Sequence, residues 1–147
     1  MATFTRHAVL DWSGDVMHGT GTISAGTGAF SVGASFPRVA GDPTGVKTPE
    51  ELLGAAHAIC YGVGLRSAIA QRGGTARRVK VTATITADKG SEGIRIRASH
   101  LVGVVEGLNG IPPASLPEVA AATEKGCTIS IALRGSVAIS HDVTATD

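Results

Sequence analysis

The stretch from Thr48 to Gly74, TPEELLGAAHAICYGVGLRSAIAQRGG, constrains the fold more than any other. Thr48 can cap a helix, Pro49 suits the first helical position, and Glu51 stands three residues after the cap, the spacing of a capping box. Good helix formers follow as far as the Gly73-Gly74 pair. The pattern predicts one helix over 48–72, about 36 Å long. Between Leu52 and Leu65 it is too apolar to lie on a surface, so the rest of the chain must be built against it. A membrane span needs about 20 predominantly apolar residues. This segment carries His57 and Arg66 and is rich in small residues, which favours a buried helix of a soluble protein.

The flanking segments read as strands. The first third alternates polar and apolar residues at period two in TFTRHAVLDW and GTGTISAGTGAF, with glycines marking turns, as in a small meander. FPRVAGDPTGV, residues 36–46, is broken by two prolines and two glycines and is expected to be a loop carrying Arg38. After the helix, Val79, Val81, Ala83 and Ile85 alternate with Lys80, Thr82, Thr84 and Thr86, and a hairpin is expected to close around Asp88 to Gly93. Ser115 and Glu118 repeat the capping-box spacing at the start of a second helix running to about Lys125, with Gly126 as its stop. CTISIAL suits either a strand or a short helix, and GSVAISHDVTAT alternates as a final strand. This order has too few strand–helix alternations for a doubly wound parallel sheet. An α+β fold, with antiparallel sheets around a long central helix, is the expected class.

Composition narrows the function. A chain of 147 residues, 43% of them hydrophobic, suits a single domain over 1–147 with one core. Aromatic residues are only 3%, too few for a base-stacking surface, and a net charge of +1 gives no broad field for phosphate backbones or anionic lipid. Neither nucleic acid nor a membrane is expected as a partner. The opening MATFTRHAVLDW lacks the apolar run of a secretory signal, and two cysteines without such a signal point to the reducing cytoplasm. There a lasting disulfide is unexpected, and a transient one is catalytic or sensory.

The chemistry-bearing candidates are Cys60 and Cys127. Alone, either thiol reads as core filler before it reads as half of a redox pair. His57, three residues before Cys60, shares its helix face and reads as a packed, hydrogen-bonded core histidine rather than a base. His7, His18, His100 and His141 show no zinc-like spacing with the cysteines, so no metal is expected. GDPTG and GTGTISAGTG lack the strand-to-helix setting of a phosphate loop and read as turns.

TPEELLGAAHAICYGVGL followed by EKGCTISIAL resembles the OsmC/Ohr superfamily, the osmotically inducible protein C and organic hydroperoxide resistance proteins. LDWSGDVMHGTGTIS and FPRVAGDPTGVKTPEELL resemble the OsmC branch in particular. The likeness covers nearly the whole chain. It implies an intertwined α+β homodimer acting as a cysteine-based peroxidase on organic hydroperoxides, with no bound cofactor and an external dithiol, possibly of lipoyl type, as reductant. By the same resemblance Cys60 is the peroxidatic cysteine, Cys127 the resolving cysteine, and Glu50 and Arg38 the site glutamate and arginine. Two features depart from the pattern. Thr128 replaces the proline that usually follows the second cysteine, and the VVEGLNGIPPAS link differs from the usual shorter turn.

The chemistry fits these assignments. A free cysteine is only a few per cent ionised at neutral pH, and peroxide reduction needs the thiolate. Cys60 lies twelve residues past the helix cap, beyond the reach of the terminal dipole, so Arg38 is the candidate cation, with Glu50 holding it by a two-pronged contact. Glu50 and Cys60 are separated by about 15 Å along one helix. Two copies crossing antiparallel near Ala55, where Gly54, Ala58 and Gly62 are also small, would bring Glu50 of one beside Cys60 of the other. The site is therefore expected at a homodimer interface. The competing reading is a dimeric module that holds an apolar ligand or senses redox state without turnover.

Overall fold

The structure is a computed structural model that describes residues 1–35 and 48–147, in two compact units, residues 1–49 and 50–147. In the first, β1 (Ala8–Ser13), β2 (Thr20–Ala25) and β3 (Ser31–Ser35) form an antiparallel meander in that order. This is the meander that the alternation predicts.

All but the first residue of α1 (Pro49–Gln71) belongs to the second unit, and the helix lies within a residue of the predicted one at each end. Its C-terminus is closed by Gly73, whose φ of +81° suits a residue without a β-carbon. The Gly74 N–H donates to the Ile69 carbonyl and the Gly73 N–H to that of Ala70, the paired bonds of a Schellman motif. Gly54, His57, Tyr61, Leu65 and Ile69 form the buried stripe of α1. Leu52, Ile59 and Val63 lie on the opposite side and are exposed, Ile59 by 68%. By length and composition α1 could cross a membrane, but its buried stripe packs into a protein core.

That core is completed by a three-stranded sheet in the order β4 (Arg78–Gly90), β5 (Gly93–Glu106), β6 (Ala138–Thr146). Val79, Val81, Ala83 and Ile85 face inward and the interleaved threonines outward, as the alternation predicts. Pairing runs on past Asp88 to Gly90 opposite Gly93, with a bulge at Thr86/Ala87. Small residues let α1 lie close to the sheet: a β-carbon on Gly62 would meet Val81 at 3.3 Å, and one on Gly54 the Ala83 carbonyl at 3.4 Å.

Both sheets are antiparallel except at the last strand. β6 runs parallel to β5, because the chain between them makes a crossover through two helices rather than a tight turn. A 3₁₀ turn, Pro113–Ser115, leads into α2 (Leu116–Gly126), and α3 (Thr128–Leu133) follows at once. The capping box expected at Ser115 does not form. Ser115 is already in helical conformation at the end of the 3₁₀ turn, so its hydroxyl donates back to the Pro112 carbonyl at 2.7 Å. Gly126 stays inside α2, and the break falls at Cys127, whose φ of −71° and ψ of 119° are extended. CTISIAL is thus helical, and α3 forms without the proline usual at its start.

Candidate active site

Cys60 reaches the site from the middle of α1, on the flank of its buried stripe, and is half-buried. Cys127 is the single extended residue at the elbow between α2 and α3 and is only 4% exposed. The fold brings together these two residues, 67 apart in sequence. Cys127 donates from its Sγ to that of Cys60 at 3.1 Å, about 1 Å beyond a covalent sulfur–sulfur bond. Both are free thiols.

Their surroundings push the two thiols apart in acidity. Burial pushes Cys60 up, but the Cys127 thiol, the Ile129 and Thr128 N–H groups and the Thr128 hydroxyl act on its sulfur and bring it below the ordinary cysteine value. Among the described residues, hydrogen-bond donors rather than a guanidinium do this. Burial also pushes Cys127 up. The Ser130 and Ile129 N–H groups and the Ser130 hydroxyl pull the other way, while Cys60 adds to the rise, and the net shift is upward. The Ser130 groups act on the sulfur although no aligned cap hydrogen bond forms at Cys127. Of the two, Cys60 is thus the more readily ionised.

A cleft of about 260 Å³ opens on the pair between α1 and α2. Cys60, Gly64, Ala68, Thr123, Gly126 and Cys127 line it, with Arg72 at the rim, where it pairs with Glu118 at 3.6 Å. The larger hollow, about 470 Å³, lies between the exposed side of α1 and β4 and holds neither thiol.

Behind the sulfurs lies His57, fully buried, with Nδ1 2.8 Å from the Ser99 hydroxyl and Nε2 2.9 Å from that of Ser130. The expected packed, hydrogen-bonded histidine is what the core contains. Burial lowers its pKa, the Glu124 carboxylate raises it, and burial prevails. Tyr61, one residue after Cys60, donates to the Ala120 carbonyl at 3.4 Å, stacks on His141, and is pushed up to about 12, chiefly by burial.

The other two candidates stand apart from the thiols. Glu50 is half-buried in the first turn of the same continuous helix, about 15 Å from Cys60 along the axis, so one chain does not join them. Arg38 lies outside the described residues. Ser99 and Ser130 were not legible as site residues, being 42 and 73 positions from His57 with no motif to link them.

A mixed α+β unit that sets two free cysteines in contact on a long helix and a helix elbow defines a dithiol protein class. The comparisons name the family: residues 42–142 match the family described as OsmC-like protein, and the chain belongs to it. It is 26% identical over 132 residues to peroxiredoxin OsmC of Escherichia coli (strain K12), covering 90% of this chain and 92% of that one. Among solved structures it is similar to the organic hydroperoxide resistance protein OsmC of Legionella pneumophila (TM-score 0.76, 23% identity, 98% and 99% of the two chains covered). It also resembles an organic hydroperoxide resistance protein of Elizabethkingia anophelis (TM-score 0.79, 18% identity, 99% of each chain). A third likeness is to OhrB of Bacillus subtilis (TM-score 0.73, 21% identity, 97% and 100%).

Proposed function

We propose that this chain is a thiol-dependent peroxidase that reduces organic hydroperoxides to alcohols. The observation that carries the reading is the 3.1 Å approach of Cys127 to Cys60, with the Cys60 thiol held below and the Cys127 thiol above its ordinary value. The names of its relatives, peroxiredoxin and organic hydroperoxide resistance protein, support it.

In this reading the Cys60 thiolate attacks the terminal peroxide oxygen. The O–O bond breaks, Cys60 becomes a sulfenic acid, and the departing alkoxide takes a proton to leave as the alcohol. The Cys127 sulfur then attacks the Cys60 sulfur, an S–S bond forms, and the hydroxyl leaves as water with the Cys127 proton. An external dithiol returns both thiols by exchange and is itself oxidised to a disulfide. Beside the polar Ser67, Gln71, Arg72 and Thr123, the cleft offers Gly64, Ala68, Ala122 and Gly126, an apolar strip on which the tail of an organic peroxide gains by burial.

The same reading makes the whole chain one OsmC-like domain that works as a homodimer. The exposed stripe Leu52, Ile59 and Val63 leaves α1 apolar on two sides, and a helix of that kind needs a second cover. Antiparallel crossing of two such helices would set Glu50 of one chain beside Cys60 of the other, with Arg38 as the cation that both engage.

The test is peroxide consumption with tert-butyl hydroperoxide and a dithiol. The wild-type protein is expected to turn over, to lose two thiols per chain with one equivalent of peroxide, and to form no covalent dimer. Cys60→Ser should abolish consumption. Turnover by Cys60→Ser, or no thiol loss in the wild type, would refute the proposal and leave an apolar-ligand module with structural cysteines.

A further inference from the structure

The peroxidase chemistry above uses two sulfurs and leaves a buried histidine unused. Histidine is amphipathic and costly to bury, yet His57 is fully enclosed and both ring nitrogens are met by serine hydroxyls that are themselves fully buried. The two serines come from different elements, Ser99 from β5 and Ser130 from α3. Ser130 is also the residue whose hydroxyl and N–H act on the Cys127 sulfur. Hydrogen bonds thus link the sheet to α3 through His57, and Ser130 stands in the first turn of α3, the helix that Cys127 caps.

The direction of that line follows from its end. Cys127 donates to Cys60, so its sulfur is left to accept. A Ser130 hydroxyl turned toward Cys127 has spent its hydrogen there and can only accept from His57. Nε2 must then carry the imidazole proton, which leaves Nδ1 to accept from Ser99. Among the described residues, the Glu124 carboxylate of α2, which pairs with Arg134 at 3.0 Å, acts on His57, and the other ionisable groups of this core are the two thiols and Tyr61 beneath His141 of β6.

We propose that His57 is a positioning residue for Cys127: with its proton on Nε2 it fixes the Ser130 hydroxyl as a donor to the Cys127 sulfur, aligning the chain Ser99, His57, Ser130, Cys127, Cys60 with every donor directed at Cys60. The inference rests on the peroxidase reading for its role in turnover. For disulfide closure Cys127 must first give up its proton, which ends on the departing hydroxyl, and the negative charge this leaves on its sulfur is spent as the S–S bond forms. The Ser130 donor stabilises that charge, so its alignment speeds the second step and leaves the first, at Cys60, nearly unaffected.

The experiment separates the two steps. After mixing with tert-butyl hydroperoxide, sulfenic acid is trapped with dimedone and disulfide is followed by thiol loss. Below the Cys127 pKa, Ser130→Ala and His57→Leu should each slow closure about two- to threefold, the loss of one neutral hydrogen bond being partly offset by a more nucleophilic thiolate, with sulfenic acid formation at the wild-type rate. His57→Gln, whose amide N–H can replace Nε2–H, should recover most of the closure rate. A second readout needs no activity. In the Cys60→Ser background, the pH titration of Cys127 by thiolate absorbance should move upward in both Ser130→Ala and His57→Leu. Should the wild type fail to consume peroxide, the peroxidase reading falls while this titration still decides the role of His57. Wild-type closure and an unmoved Cys127 titration in Ser130→Ala would overturn the inference, whether or not His57→Leu folds. An effect of His57→Leu that Ser130→Ala does not share would overturn it as well.

Discussion

Thr128 offers the sharpest test of how Cys60 is made acidic. Its N–H and its hydroxyl both act as donors toward the Cys60 sulfur, and proline has neither. The substitution Thr128→Pro should nonetheless fold unchanged. Residue 128 is the first of α3, where proline is favoured, and Cys127 before it is already in the extended conformation that a following proline demands. A hydrogen bond to a charged group is worth about 1.5 to 3 kcal/mol when enclosed. At an exposed residue beside a half-buried thiol, about 1.5 kcal/mol for both donors together is the appropriate size, or roughly a tenfold smaller thiolate equilibrium. The surviving thiolate is more basic and so about threefold more nucleophilic. Alkylation of Cys60 by iodoacetamide, followed against pH and located by mass spectrometry, should therefore be about threefold slower at low pH and about threefold faster on the high-pH plateau. Coincident profiles for the two proteins would refute the assignment of these donors to residue 128.

Further outcomes follow from the same geometry. Gly73→Ala should cost about 1 kcal/mol in chemical denaturation, because nothing crowds the site and only the positive φ opposes a side chain. Ile59→Glu, on the exposed side of α1, should leave the chain folded by circular dichroism and abolish self-association in sedimentation, if the proposed dimer forms there. His57 has its folded pKa below the unfolded value of 6.5, so the native state binds fewer protons than the unfolded chain. Stability is then complete above pH 6.5 and falls by up to about 1.4 kcal/mol per unit below it, a slope that His57→Gln should flatten.

Local signals carried much of this fold, and their reach explains where reading stopped. Pro49 and Gly73 bound α1 because both act on their own dihedrals, independent of the rest of the molecule. Alternation from Val79 to Ile85 gives the buried face of β4 but is silent on strand direction, so the parallel placement of β6 was not legible. At Ser115 a good capping signature was overridden by the turn that Pro112 and Pro113 impose just before it. The β-branched CTISIAL turned helical because Cys127 breaks α2 and lets a new helix start. In the candidate site, the meeting of Cys60 and Cys127 was expected from family resemblance and not from any spacing. The serines that hold His57 come from a strand and a short helix far along the chain, contacts that only the folded chain creates.

The position of Cys127 at the elbow between two helices has a mechanical consequence. A bond from there to the middle of α1 would rivet that elbow to the longest helix and close a loop of 67 residues. Such a closure removes enough freedom from the unfolded chain to favour the native state by about 4 kcal/mol. The oxidised protein should therefore outlast the reduced one under heat or protease, so that its resistance to melting records its redox history.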